Sequence, residues 1–172
     1  GIDYSMAQWF PKIAQYDKSG WHAHPYIARE FYAPWGNFDV TIKMHEKYII
    51  GATGILVSKI KEGNFNKWNF KADNVNDFVW AADPDYRHDI LTVPDQGLEL
   101  HFYYQPNSDD MISNWERLQE HTAEAFKYFS KTFGKYPYTK YSVIQGGDGG
   151  MEYPMATLIT GERSYPSLLS VT

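Results

Sequence analysis

The densest collection of residues that could do chemistry lies near the end of the sequence, in Gly146-Gly147-Asp148-Gly149-Gly150-Met151-Glu152-Tyr153-Pro154. Glycine has no Cβ, so a run of this kind permits positive φ and lets the main chain approach a ligand closely. The run delivers one carboxylate, Glu152, and leads at once into the apolar stretch Met155 to Ile159. One reading is backbone shaped around a ligand, with a carboxylate to receive a cation. The other is a hairpin turn with a solvated Glu, and on composition alone that is the simpler.

Two further sets of residues could hold a metal. His22 and His24 sit two apart, which on a strand would place both on one face. No third ligand lies nearby in sequence, and surface or hydrogen-bonded histidines account for them better. His45-Glu46 opens like the zinc motif H-E-x-x-H, which needs a second His four positions on, along one helical face. Position 49 is Ile and the segment has strand periodicity, so this site is rejected.

The elements that must position these residues are mostly strands. The chain has 172 residues, enough for a sizeable core, and 43% are apolar, which excludes a disordered protein. Aromatic residues make up 17%, a bias that suits β-structure. The formal charge is −5 with no basic block, so nucleic acid is excluded as a partner, and no apolar stretch is long enough to span a bilayer. With no cysteine there is neither a disulfide nor a thiolate metal site, and the compartment stays open.

Residues 1–37, dense in Trp, Tyr and Pro, predict short extended pieces and turns packed through their rings. Phe38, Val40, Ile42 and Met44 alternate with polar residues and predict a half-buried strand. Tyr48 to Val57 is a further β-rich run, with a bend or bulge at Gly51 and Gly54. Lys61-Glu62-Gly63-Asn64 predicts a hairpin turn into Trp68 to Ala72. Strands are also expected at Val75 to Ala81, His88 to Val93 and Leu98 to Tyr104, together making an antiparallel sheet or sandwich. After Pro106 the pattern changes to one long amphipathic helix. Ser108, Asp109 and Asp110 lie at its start, and Ile112, Trp115, Leu118, Thr122, Ala125, Phe126, Phe129 and Phe133 form its apolar face, with Gly134 after its end. Tyr138 to Gln145 reads as a strand entering the glycine run and Met155 to Thr160 as the strand returning from it, which puts Glu152 at or beside a sheet edge. The boundary between strands and helix, near residue 106, is taken as a domain boundary.

Several segments, in order and spacing, carry a resemblance: Trp9-Phe10-Pro11 with Tyr16-Asp17, Glu30-Phe31-Tyr32, Gly36-Asn37-Phe38-Asp39-Val40, Ala52-Thr53-Gly54, Asn76-Asp77-Phe78-Val79-Trp80-Ala81, Phe133-Gly134-Lys135-Tyr136-Pro137 and Gly149-Gly150-Met151-Glu152. Together they resemble the zinc aminopeptidases of the aminopeptidase N and leukotriene-hydrolase type. The resemblance implies a β-rich α+β chain. Residues 1–106 would be the later part of the family's N-terminal β-saddle domain, and 107–172 the first helix and strands of its thermolysin-like catalytic domain. It implies that Gly149, Gly150, Met151, Glu152 and Tyr153 correspond to the family's G-x-M-E-N motif, whose main chain lines the peptide and whose Glu binds the free α-amino group.

Tyr153 departs from the motif's Asn. The family's H-E-x-x-H helix and downstream Glu ligand are not in the sequence, which ends at Ser170-Val171-Thr172 about where that helix would begin. The expectation is therefore a fragment of a peptidase that removes N-terminal residues, with zinc in the parent enzyme, none in the fragment, and no activity of its own. Its partners would be a peptide N-terminus and the remainder of the catalytic domain. The helix from Trp115 to Phe133 would keep an exposed apolar face, so self-association and mobile ends near residue 172 are expected. The competing expectation is a non-catalytic β-domain that binds peptide or carbohydrate through exposed aromatics such as Trp21, Trp35 and Trp68.

Overall fold

A computed structural model of the chain describes residues 2–23, 25, 32–147 and 150–160. His24, Glu30, Phe31, Gly149 and the end of the chain near residue 172 lie outside the described residues.

Among the described residues, thirteen strands and one α-helix follow each other along the chain. They are β1 (Tyr4–Met6), β2 (Gln15–Asp17), β3 (Gly20–His22), β4 (Gly36–His45), β5 (Ile49–Ala52), β6 (Ile55–Glu62), β7 (Phe65–Val75), β8 (Trp80–Asp83), β9 (Arg87–Val93), β10 (Leu98–Tyr104), α1 (Asp109–Phe133), β11 (Lys140–Gly146), β12 (Met151–Tyr153) and β13 (Ala156–Thr160). They form four sheets: β1-β8-β5, β4-β7-β6, the ribbon β2-β3 and the five-stranded β12-β13-β11-β10-β9. The chain is thus β-rich α+β, with antiparallel sheets joined to one mixed sheet.

The alternation in β4 does what its period requires. Val40 and Ile42 are buried and pair across β7 with Phe70 and Trp68, which are also buried. Gly63, at φ +63°, turns the chain from β6 into β7. The run Tyr48 to Val57 divides into two strands of different sheets, because β5 pairs with β8 whereas β6 pairs with β7. Gly54 stands between them at φ +80°, against the backbone of Lys71.

The expected strand Val75 to Ala81 is corrected: β7 ends at Val75, β8 starts at Trp80, and the four residues between them are unpaired. Side chains satisfy this segment instead of a ladder. The buried carboxylate of Asp77 accepts from Phe78 N at 2.8 Å, Gln8 Nε2 at 2.7 Å and Lys12 Nζ at 2.6 Å. Trp9 Nε1 donates to Phe78 O at 2.8 Å, and Thr53 Oγ1 accepts from Val79 N at 3.1 Å.

On β10, Leu98, Leu100, Phe102 and Tyr104 are all buried and face α1. Ser108 caps that helix by accepting from Met111 N at 3.2 Å, and Trp115 stacks on Tyr104 with 4.7 Å between ring centroids. Trp115, Leu118, Thr122 and Ala123 are buried, whereas Phe129 and Phe133 on the last turns are exposed. The five-stranded sheet takes β9 and β10 from before Pro106 and β11 to β13 from after it, with β10 and β11 paired in parallel.

The expectation that the strand after the glycine run returns against the strand before it is also corrected. β13 runs parallel to β11, and the returning strand is β12, antiparallel to β13. A tight turn at Pro154-Met155, with Met155 at φ +62°, reverses the chain a second time and leaves Met155 outside β13.

Candidate functional site

The glycine run emerges from β11, and its base is fixed on three sides. The hydroxyl of buried Tyr86 donates to Gln145 O. Gln145 Oε1 accepts from Gln105 N at 2.8 Å. A Cβ on Gly146 would sit 3.2 Å from Ser5 Oγ and 3.4 Å from Leu158 Cβ, so β1 closes down on the strand end only because the residue is glycine.

Beyond the run, β12 is the edge strand of the sheet. Its pairs are Met151 with Leu158, Glu152 with Thr157, and Tyr153 with Ala156. Because side chains alternate, Glu152 shares the face of Thr157 and Val143, while Tyr153 turns to the opposite face and packs, half-buried, beside Leu158 and Ile144. Glu152 is exposed at the centre of the edge, and no cation pairs with it among the described residues. The hydroxyl of Tyr141 is pushed up to about 12 by burial, and Glu152's negative charge adds to the shift. Met151 is exposed, and its carbonyl accepts from Thr157 Oγ1 at 3.3 Å. Of the five residues singled out by sequence, Gly150, Met151, Glu152 and Tyr153 lie together at one sheet edge, the first three exposed and Tyr153 half-buried.

Of the residues considered for metal binding, His22, His45 and Glu46 are otherwise engaged. His22 Nε2 is 2.8 Å from Asp17 Oδ1, and this contact holds the Asp17 carboxyl below its ordinary range. His45 ends a strand and accepts from Lys47 N, while Glu46 pairs with Lys61. Among the described residues no group of three His, Asp or Glu could hold a metal, so the donor set present does not fit zinc.

Sequence reading passed over a second polar group, on the face of the five-stranded sheet turned away from α1. There Glu99, His101 and Tyr103 of β10 alternate with the helix-facing residues and stand beside His88 of β9 and Lys140 of β11. His88 Nε2 lies 2.9 Å from His101 Nδ1, and His88 stacks on Tyr103 at 4.1 Å. The available signal was the polar half of an alternation read only for its apolar half.

No protein-family model matches the chain, and no curated protein is significantly similar to it.

Proposed function

We propose that this chain carries the peptide-N-terminus-binding part of a zinc aminopeptidase, with Glu152 receiving the free α-ammonium group of the substrate. The observation that carries the reading is the place of Glu152: a carboxylate with no paired cation among the described residues, at the centre of an edge strand, directly after a glycine run. An extended peptide can add to the side of β12 that no described strand occupies, through main-chain hydrogen bonds. Its terminal ammonium then meets Glu152 in a charge-assisted hydrogen bond, which an acetylated or internal peptide cannot make. Such a peptide would cover the carboxylate without neutralising it, and that penalty selects chain ends. Zinc chemistry belongs to the parent enzyme in this reading. The ligands for it are not among these residues, and no step of hydrolysis is assigned to them.

The test is calorimetric titration of the chain with a short apolar peptide, free or N-acetylated. The free peptide is expected to bind at least about tenfold tighter, the difference made by one charge-assisted hydrogen bond. Glu152→Gln should remove that difference and leave the acetylated peptide unchanged. Equal binding of both peptides to the unaltered chain would end the reading.

One observation favours the second reading, a non-catalytic β-domain that binds peptide or carbohydrate. Trp21 is 66% exposed and lies 4.9 Å from the exposed ring of Tyr16, and Trp35 is also exposed, whereas Trp68 is core. Saturable oligosaccharide binding lost in Trp21→Ala would favour it; an unresponsive tryptophan signal would remove it.

A further inference from the structure

The face of the five-stranded sheet turned away from α1 closes with β5, β6 and β7 around a cavity of about 580 Å³. That volume is within the roughly 300–1,000 Å³ common for small-molecule sites. Ile50, Leu56, Trp68 and Phe70 form its apolar wall, and Lys140 is its buried cation.

Lys140 is 6% exposed. Its ammonium donates to Gly54 O at 2.8 Å and Ala52 O at 3.4 Å. An ammonium carries three hydrogens, so one is left over. No carboxylate pairs with it among the described residues. Glu99 is its register partner across β10 and β11, but that carboxylate is 58% exposed and leans on His101 Nε2 at 3.4 Å. Besides the two carbonyls the Lys140 ammonium has the Phe70 ring, 5.9 Å away, and a buried cation without a paired carboxylate is costly to keep. Burial lowers Lys140 only to about 8, so it stays charged at neutral pH. His88 and His101 are both shifted down by burial, to about 4 and about 3, so neither adds positive charge.

The cavity therefore offers one spare ammonium hydrogen, a positive charge with no paired carboxylate among the described residues, and an apolar wall. We propose that it binds a small apolar monocarboxylate, with the carboxylate on Lys140 Nζ and the body against Ile50, Leu56 and Phe70. Glu99, in solvent at the same lining, sets the count of charges: a second carboxylate on the ligand would meet it and be repelled. Glu152 lies on the other face of the sheet, so this site is independent of the one proposed above.

The experiment is titration of the 172-residue chain with 3-phenylpropanoate, read by tryptophan fluorescence and calorimetry. The expected result is saturation with Kd below about 1 mM. The uncharged amide of the same acid should bind about tenfold more weakly or worse, and phenylsuccinate, a dianion, should also be weaker. Leu56→Trp fills the cavity from its partly exposed wall while leaving the bonds of Lys140 intact, and should abolish saturation without moving the unfolding midpoint. Lys140→Met tests the charge directly, and if it does not fold, the comparison of acid with amide on the unaltered chain decides the same point. Glu152→Gln should bind the acid as the unaltered chain does. No saturation by about 10 mM, equal affinity for acid and amide, or normal binding by Leu56→Trp would overturn the proposal.

Discussion

Gly54 is the residue at which the β5–β6 run changes sheets. A Cβ there would lie 2.4 Å from Lys71 O and 2.9 Å from Ala72 Cβ, and φ is already +80°. Both obstacles are rigid, one of them backbone, so Gly54→Ala is expected to destabilise the chain by roughly 2–4 kcal/mol, measured by urea unfolding. An effect under about 0.5 kcal/mol would mean that β6 can move off β7 freely. His101 has a different consequence. Burial first, then the charges of Lys140 and His88, hold its folded pKa at about 3, against an ordinary value of 6.5. Between those values the unfolded chain takes up a proton that the folded chain does not, so this contribution is full above pH 6.5 and is lost as pH falls toward 3. His88, shifted down by burial to about 4, acts in the same direction with a smaller effect, because part of its surface is exposed and solvent screens it. Lowering the pH from 6.5 to 5 should therefore cost on the order of 1 kcal/mol more in the unaltered chain than in His101→Asn. Equal losses in both would show that the imidazole is not held neutral.

Among the elements, α1 separates buried from unburied aromatics along a single stripe. Trp115 is fully buried against Tyr104, and Trp115→Ala is expected to cost about 3–5 kcal/mol. Phe133, 79% exposed on the same stripe, should cost under about 0.5 kcal/mol when replaced by Ser. Comparable losses at both positions would mean that the last turn of α1 is covered in solution. The helix was legible in the sequence because its period and its caps agree over 25 residues. Its burial was not, because the periodic stripe runs on past the point where β9 and β10 stop supporting it. Strands with one buried face, β4 and β10 above all, were equally legible from alternation. The segment Asn76 to Val79 was misread because its backbone is satisfied by Trp9 and Thr53, residues far away in the sequence, while Gln8 and Lys12 hold the Asp77 carboxylate. The edge strand β12 escaped notice because three residues carry no period, and nothing local says that a chain leaving a glycine run will reverse twice.

Over the whole molecule, Trp9-Phe10 meets two segments far away in the sequence: Trp9 bonds to the Phe78 carbonyl and Phe10 lies 5.3 Å from Phe38. Among the described residues no helix is long and apolar enough to cross a membrane. The candidate site was legible as a carboxylate behind glycines. Its place on an open edge depends on the parallel pairing of β11 with β13, which only tertiary structure fixes. The claim at the centre of this account is that Glu152 and the free edge of β12 capture a peptide by its amino terminus. Hydrogen exchange at residues 150–153, with and without bound peptide, tests it most directly. A peptide with a free terminus should slow exchange there, and the acetylated peptide at the same concentration should not. Equal protection by both peptides, or protection only elsewhere in the chain, would contradict it.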